Sequence, residues 1–188
     1  VDELRTPRLL LRRWRTEDEP AMARINSDPE IGRYLNRPVD EAAVAAFFGL
    51  MIGHWESHGY GPWALESREP EIEGRFLGFA GLAHVPPFLA AAGSAPELGW
   101  RLGRTAWGHG LATEAAITAR DDAFARLALG EIISIIHPEN ERSQRVAVKI
   151  GMRRWKRIEN PVIGIEVDVW HQITDRPRPL RPADRTRR

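Results

Sequence analysis

Residues 97–113 read Glu-Leu-Gly-Trp-Arg-Leu-Gly-Arg-Thr-Ala-Trp-Gly-His-Gly-Leu-Ala-Thr, and their types and spacing imply chemistry more directly than any other stretch. A strand-like segment enters a loop carrying Gly108 and Gly110, and a helix-like segment follows at once. Such a loop exposes unpaired backbone N–H groups at the positive end of a helix dipole. That combination suits a phosphate or pyrophosphate. A P-loop needs Lys and Ser or Thr after its second glycine, but His109 and Gly110 follow Gly108, so nucleotide hydrolysis is set aside. A dinucleotide fingerprint is only partly matched, because Thr113 stands where Gly or Ala belongs and the unit lies mid-chain. An NAD(P)-binding protein therefore stays as the weaker alternative. A tight turn at Gly110 without any ligand is also compatible with the loop taken alone.

The elements that must position this loop follow from periodicity. Arg8 to Trp14 reads as a first strand, and Thr16-Glu17-Asp18-Glu19 as a capping box opening a short helix with Pro20 in its first turn. Asp40 can cap a second helix, in which Val44, Phe47, Phe48, Met51 and Trp55 form an apolar stripe that Gly59 ends. Residues 63–67 and 75–85 read as a hairpin, and 86–96 as an exposed Ala/Pro/Gly loop. A strand over 97–102, a helix over 110–127 and a buried, isoleucine-rich strand over 131–137 make a β-α-β unit with a parallel pair. A helix over 140–150 and strands over 152–158 and 162–174 complete the order.

Composition bounds the rest. The chain has 188 residues, no cysteine and a formal charge of +1. One domain with a sizeable core is expected. Disulfides, a thiol nucleophile and thiolate metal sites are excluded. Near-neutral charge gives no support for a nucleic-acid surface. No run reaches the length of a membrane span, and Val-Asp-Glu-Leu-Arg shows no signal-peptide pattern, so a cytoplasmic location is expected. The arginine-rich, lysine-poor composition suggests a GC-rich bacterial source. The domain is read as 1–174, followed by a Pro/Arg-rich disordered tail over 175–188.

Four ordered motifs carry a resemblance. They are Thr6-Pro7-Arg8-Leu9-Leu10-Leu11-Arg12; Asp28-Pro29-Glu30 with Tyr34-Leu35; Glu97 to Trp100 with Trp107-Gly108-His109-Gly110-Leu111-Ala112-Thr113-Glu114-Ala115; and His137-Pro138-Glu139-Asn140-Glu141-Arg142-Ser143 with Lys149-Ile150-Gly151-Met152. Over residues 6–174 the chain resembles the GNAT superfamily of N-acetyltransferases, and most the RimJ/RimL-like branch of ribosomal-protein N-terminal acetyltransferases. The resemblance implies a single α/β (mixed α+β) domain, with a mixed, mostly antiparallel sheet of about six to seven strands flanked by about four helices. One departure is Thr105, where the superfamily loop usually has Gln or Arg; Arg104 beside it is a substitute charge.

What the resemblance implies chemically is direct attack of a neutral amine on the thioester of acetyl-CoA, with no covalent enzyme intermediate. An α-amine (pKa ~8) is neutral more readily than a lysine (~10.4), so a protein N-terminus is the favoured acceptor and a small-molecule amine the second. Backbone groups of Trp100, Arg101 and Leu102 would pair with the pantetheine amides. Gly108, His109, Gly110, Leu111, Ala112 and Thr113 would hold the pyrophosphate. Ser143 would lie near the departing sulfur, and Asn140 would contact the pantetheine arm while capping its helix. Glu97 is the expected base, acting through a water, with alternation placing it on one face with Gly99 and Arg101; His84 is the second candidate. Trp14, Trp63, Trp107 and Trp155 are expected in the core or the pocket wall. No cluster has a convincing metal-ligand spacing, and no metal is expected. A homodimer is a candidate assembly, and a non-catalytic CoA-binding module is the other alternative.

Overall fold

The computed structural model describes residues 1–34, 41–162 and 164–174. Its elements in chain order are β1 (Glu3–Arg5), β2 (Leu9–Arg12), α1 (Glu19–Asn26), α2 (Pro29–Gly32), α3 (Glu41–His58), β3 (Pro62–Ser67), β4 (Phe76–Ala83), β5 (Glu97–Leu102), α4 (Leu111–Ala125), β6 (Glu131–Ile136), α5 (Glu141–Lys149), β7 (Arg153–Asn160) and β8 (Ile165–Ile173). Eight strands form one sheet in the order β1-β2-β3-β4-β5-β6-β8-β7. Every neighbouring pair is antiparallel except β5 and β6, which are joined through α4 and run parallel. The expected class and the parallel pair are both present.

Local chemistry explains the elements. The stripe on α3 is buried at Val44, Phe48 and Trp55, and Gly59 ends the helix with φ +70. Phe47 meets Phe79 of β4 at 5.6 Å, and Phe48 meets Trp14 edge-on at 5.6 Å. The indoles of Trp14 and Trp55 both donate to the Pro62 carbonyl at 2.8 Å, tying β2 and α3 to the start of β3. Helix α4 buries Ala115, Ala116, Ala119 and Ala123, small residues that let it settle closely on β4 and β5. Gly78 of β4 is required sterically: a Cβ there would lie 2.1 Å from the Arg101 carbonyl oxygen of β5.

Several expectations change. The sheet has eight strands rather than six to seven, because Glu3–Arg5 adds an edge strand. Its three residues are mostly exposed and carry no apolar period that could reveal them. Five α-helices are present among the described residues, not four, because Asp28 and Pro29 open a separate short helix. The Asp28 carboxylate accepts from the Glu30 N–H at 2.9 Å. Thr16 is not a cap. Asp18 instead accepts from the Arg15 N–H at 2.8 Å and takes the Arg12 guanidinium at 2.7 and 2.8 Å. The 86–96 segment is only partly exposed, since Ala92 is fully buried against Ile133 and Val169. Trp155 is 49% exposed and stacks on His171 rather than joining the core. The Asp40 cap and the 175–188 tail lie outside the described residues.

Candidate active site

The sheet opens beside β5. This strand pairs with β4 at six positions, from Gly78↔Leu102 to Ala83↔Glu97, but with β6 only at Glu97↔Ile133. The Gly103 N–H bonds to Leu77 O across β4, so the odd residues of β5 point their backbone groups at β4 and the even residues point away from it. Two of these outward carbonyls are already taken. Leu98 O accepts from the Ser134 hydroxyl at 2.5 Å, and Leu102 O accepts from the Trp107 indole at 2.8 Å. Between them the peptide of Trp100 faces the splay, a strand edge able to pair with an amide-bearing ligand. Of the three expected pairing residues, only Trp100 thus offers its whole peptide. Arg101 pairs with Phe79 of β4, and Leu102 keeps only its N–H.

The loop beyond β5 ends at a helix N-terminus. Gly108 and Gly110 have φ of +81 and +78, the left-handed region open to glycine at little cost. Gly110 caps α4 without a side chain, and among the described residues no acceptor takes the N–H groups of Gly108, His109, Gly110, Leu111, Ala112 or Thr113. Free N–H groups at a helix N-terminus are suited to an anion. His109 is exposed, and its carbonyl accepts from Arg8 Nη1 at 2.8 Å. Arg8 also pairs with Glu114 at 2.6 Å, and Thr6 donates to the same carboxylate at 2.5 Å. Burial pushes the Glu114 carboxyl up, but the bonds from Thr6 and Arg8 outweigh it and hold it below the usual range. A cavity of about 530 Å³ opens here, lined by Arg5, Thr6, Gly110, Thr113, Glu114 and Lys149 among others. Thr105 is exposed, 3.5 Å from Arg75 Nη2, and Arg104 lies 3.9 Å from Asp28.

Glu97 sits where β5 and β6 part. Its carboxylate accepts a hydrogen bond from the Ile135 backbone, yet burial dominates and raises its pKa to about 7. A carboxylate of that pKa can take a proton near neutral pH. Arg101, two residues on, reaches Asn26 at 2.6 Å and lies over Phe47 and Phe79. On the other side of the splay, Asn140 caps α5, its oxygen accepting from the Ser143 N–H at 3.1 Å. The half-buried Ser143 hydroxyl has no partner among the described residues. Arg142 stacks over Trp107 at 4.3 Å, holding the first turn of α5 against the glycine loop. His84 is exposed and belongs to a separate group with His54, His58 and Tyr60. His137 Nδ1 accepts from the Glu139 N–H at 3.1 Å.

Sequence reading missed the Arg8–Glu114 brace, the Ser134 cap on Leu98, the Arg142–Trp107 stack and Lys149 at the cavity. Arg8, Glu114 and Lys149 stand within the quoted motifs, but nothing in the motifs says which residues meet.

The acetyltransferase (GNAT) domain profile matches residues 8–153. The N-acetyltransferase p20 of Bacillus licheniformis is 28% identical over 156 residues, 82% of this chain and 84% of p20. The acetyltransferase structure from Agrobacterium tumefaciens str. C58 superposes with a TM-score of 0.79 at 29% identity, covering 93% of this chain and 95% of that one. Spermidine N-acetyltransferase from Vibrio cholerae, solved with CoA and spermine, shares the fold at TM-score 0.70 and 16% identity, covering 89% and 96% of the two chains. The family match over residues 8–153 sets the NAD(P) alternative aside. The chain belongs to the GNAT acetyltransferase family and is an acyltransferase that uses acetyl-CoA as its donor.

Proposed function

We propose that this enzyme acetylates the α-amine of a protein or peptide N-terminus, as a RimJ/RimL-like member of the family in a bacterial cytoplasm. The carrying observation is Glu97, with its pKa raised to about 7, at the mouth of the splay that exposes the Trp100 peptide. In this reading the donor's pantetheine arm adds to β5 at Trp100, and its pyrophosphate takes the N–H groups from Gly108 to Thr113. Glu97, through a water, accepts the proton that the attacking amine loses. The amine nitrogen bonds to the thioester carbonyl carbon, the C–S bond then breaks, and the Ser143 hydroxyl donates a hydrogen bond to the departing thiolate. A base of pKa about 7 suits an α-amine of pKa ~8 better than a lysine of ~10.4, which holds its proton far more tightly.

Thiol release from acetyl-CoA tests the acceptor. Peptides with free N-termini should turn over, and the same peptides with blocked N-termini but free lysines should not. Turnover of polyamines or aminoglycosides with none on free-N-terminus peptides would replace the peptide reading with a small-molecule one.

A further inference from the structure

Outside the acetyl-transfer site, three imidazoles converge at the junction of α3 and β4. His54 and His58 stand four residues apart, which places them on one face of α3, a turn apart. Past Gly59 the chain turns back into β3, and the end of β4 delivers His84. The ring centroids lie 4.5 Å apart for His54–His58, 4.3 Å for His58–His84 and 5.2 Å for His54–His84. One ring nitrogen from each lies within 4.8 Å of the others.

The backbone sets the tautomers. His54 Nδ1 is 2.7 Å from Tyr60 O, and a carbonyl can only accept, so Nδ1 carries the proton and Nε2 the lone pair. The His84 N–H donating to His54 Nε2 at 3.0 Å agrees. His58 Nδ1 is 3.2 Å from His54 O, so the His58 Nε2 is likewise a lone pair. A ring N–H held by a backbone carbonyl, with the other nitrogen facing a shared point, is the supporting arrangement of metal-bound histidines. The third ring has a comparable support: His84 Nε2 lies 3.1 Å from the Tyr60 hydroxyl, which can accept its N–H and leave Nδ1 to ligate.

We propose that His54, His58 and His84 form a binding site for a divalent transition-metal ion of the zinc, nickel or copper kind, with Tyr60 as the support of His84. Three imidazoles favour these ions over magnesium or calcium, which prefer oxygen ligands. Bringing the nitrogens to the roughly 3.3 Å of a tetrahedral set requires small rotations of His58 and His84, both exposed. It also exchanges the His84 N–H bond at His54 Nε2 for the metal. A fourth position stays open to water. The bound ion would staple the end of α3 to the end of β4, next to Ala83, the partner of Glu97 in the sheet.

Calorimetric titration of Zn²⁺ into the tag-free full chain tests this, with Co²⁺ absorption reporting geometry. One equivalent should bind, Co²⁺ should give tetrahedral visible bands, and Zn²⁺ should raise the melting temperature. His58→Ala and His84→Ala should each weaken binding by about tenfold or more, whereas His109→Ala and His171→Ala should bind as the parent does. Circular dichroism confirms folding, and the exposed His58 makes its variant the safer of the two. Absence of stoichiometric binding, or equal affinity in the parent and in His58→Ala, would overturn the site.

Discussion

Glu97 is the residue on which the proposed chemistry turns, and its raised pKa has two consequences of known sign. As a base it must be ionised, so kcat/KM should carry a limb that rises with pH through about 7, below the further rise near ~8 at which the acceptor α-amine becomes neutral. Glu97→Gln should lower kcat and remove that limb, as a stopped or continuous thiol assay across pH would show. In stability the sign is opposite. The native state holds the Glu97 proton more tightly than the unfolded chain, whose carboxyl titrates at the ordinary 4.5, so stability falls as pH rises from about 4.5 to about 7. Glu97→Gln should therefore stabilise the fold by roughly 1–3 kcal/mol at pH 8 and hardly at all at pH 4, measured by urea unfolding. Ser143 makes a different prediction. Because its hydroxyl has no partner among the described residues, Ser143→Ala should lower kcat while leaving acetyl-CoA affinity nearly unchanged. An equal loss in both would make Ser143 a binding residue instead.

At the scale of elements, β2 and the turn after it are locked by a buried ion pair. The Arg12 and Asp18 side chains are 7% and 5% exposed, and Arg12 also reaches Glu66 of β3 at 2.7 Å. The Asp18 hydrogen bond, against the cost of burial, raises the Arg12 pKa further. Removing one partner strands a buried charge, so Asp18→Ala should cost about 3–5 kcal/mol in urea unfolding. A loss below about 1 kcal/mol would mean that Glu66 alone satisfies Arg12. This pair was hidden in the sequence because the Thr-x-x-Glu pattern pointed to a helix cap. The carboxylate one residue earlier took the turn, drawn by an arginine on the preceding strand. The apolar stripe of α3 was plain, by contrast, because periodicity alone encodes which face is buried.

Across the whole molecule, the cavity beside the glycine loop is assembled from distant parts of the chain. The turn between β1 and β2 supplies Thr6 and Arg8, the start of α4 supplies Gly110, Thr113 and Glu114, and the end of α5 supplies Lys149. Lys149 makes no ion pair among the described residues, so its charge is open to an anionic ligand in that cavity. Lys149→Glu should weaken acetyl-CoA binding about fivefold at low ionic strength, with the difference shrinking at high salt. A salt-independent loss would indicate a packing role for the side chain.

The sequence by itself determined the β-α-β unit, the glycine loop at its helix N-terminus, the Asn140 cap and the placing of Glu97 on β5. Each is a local matter of period, backbone freedom or capping, written within a few residues. Only the tertiary structure decided that β5 and β6 meet at a single position, leaving Trp100 as the open peptide. It alone decided that burial lifts Glu97 to about 7 and that His84 joins His54 and His58 rather than the acetyl-transfer site. Splay, desolvation and convergence depend on groups many residues apart, and no local pattern records them.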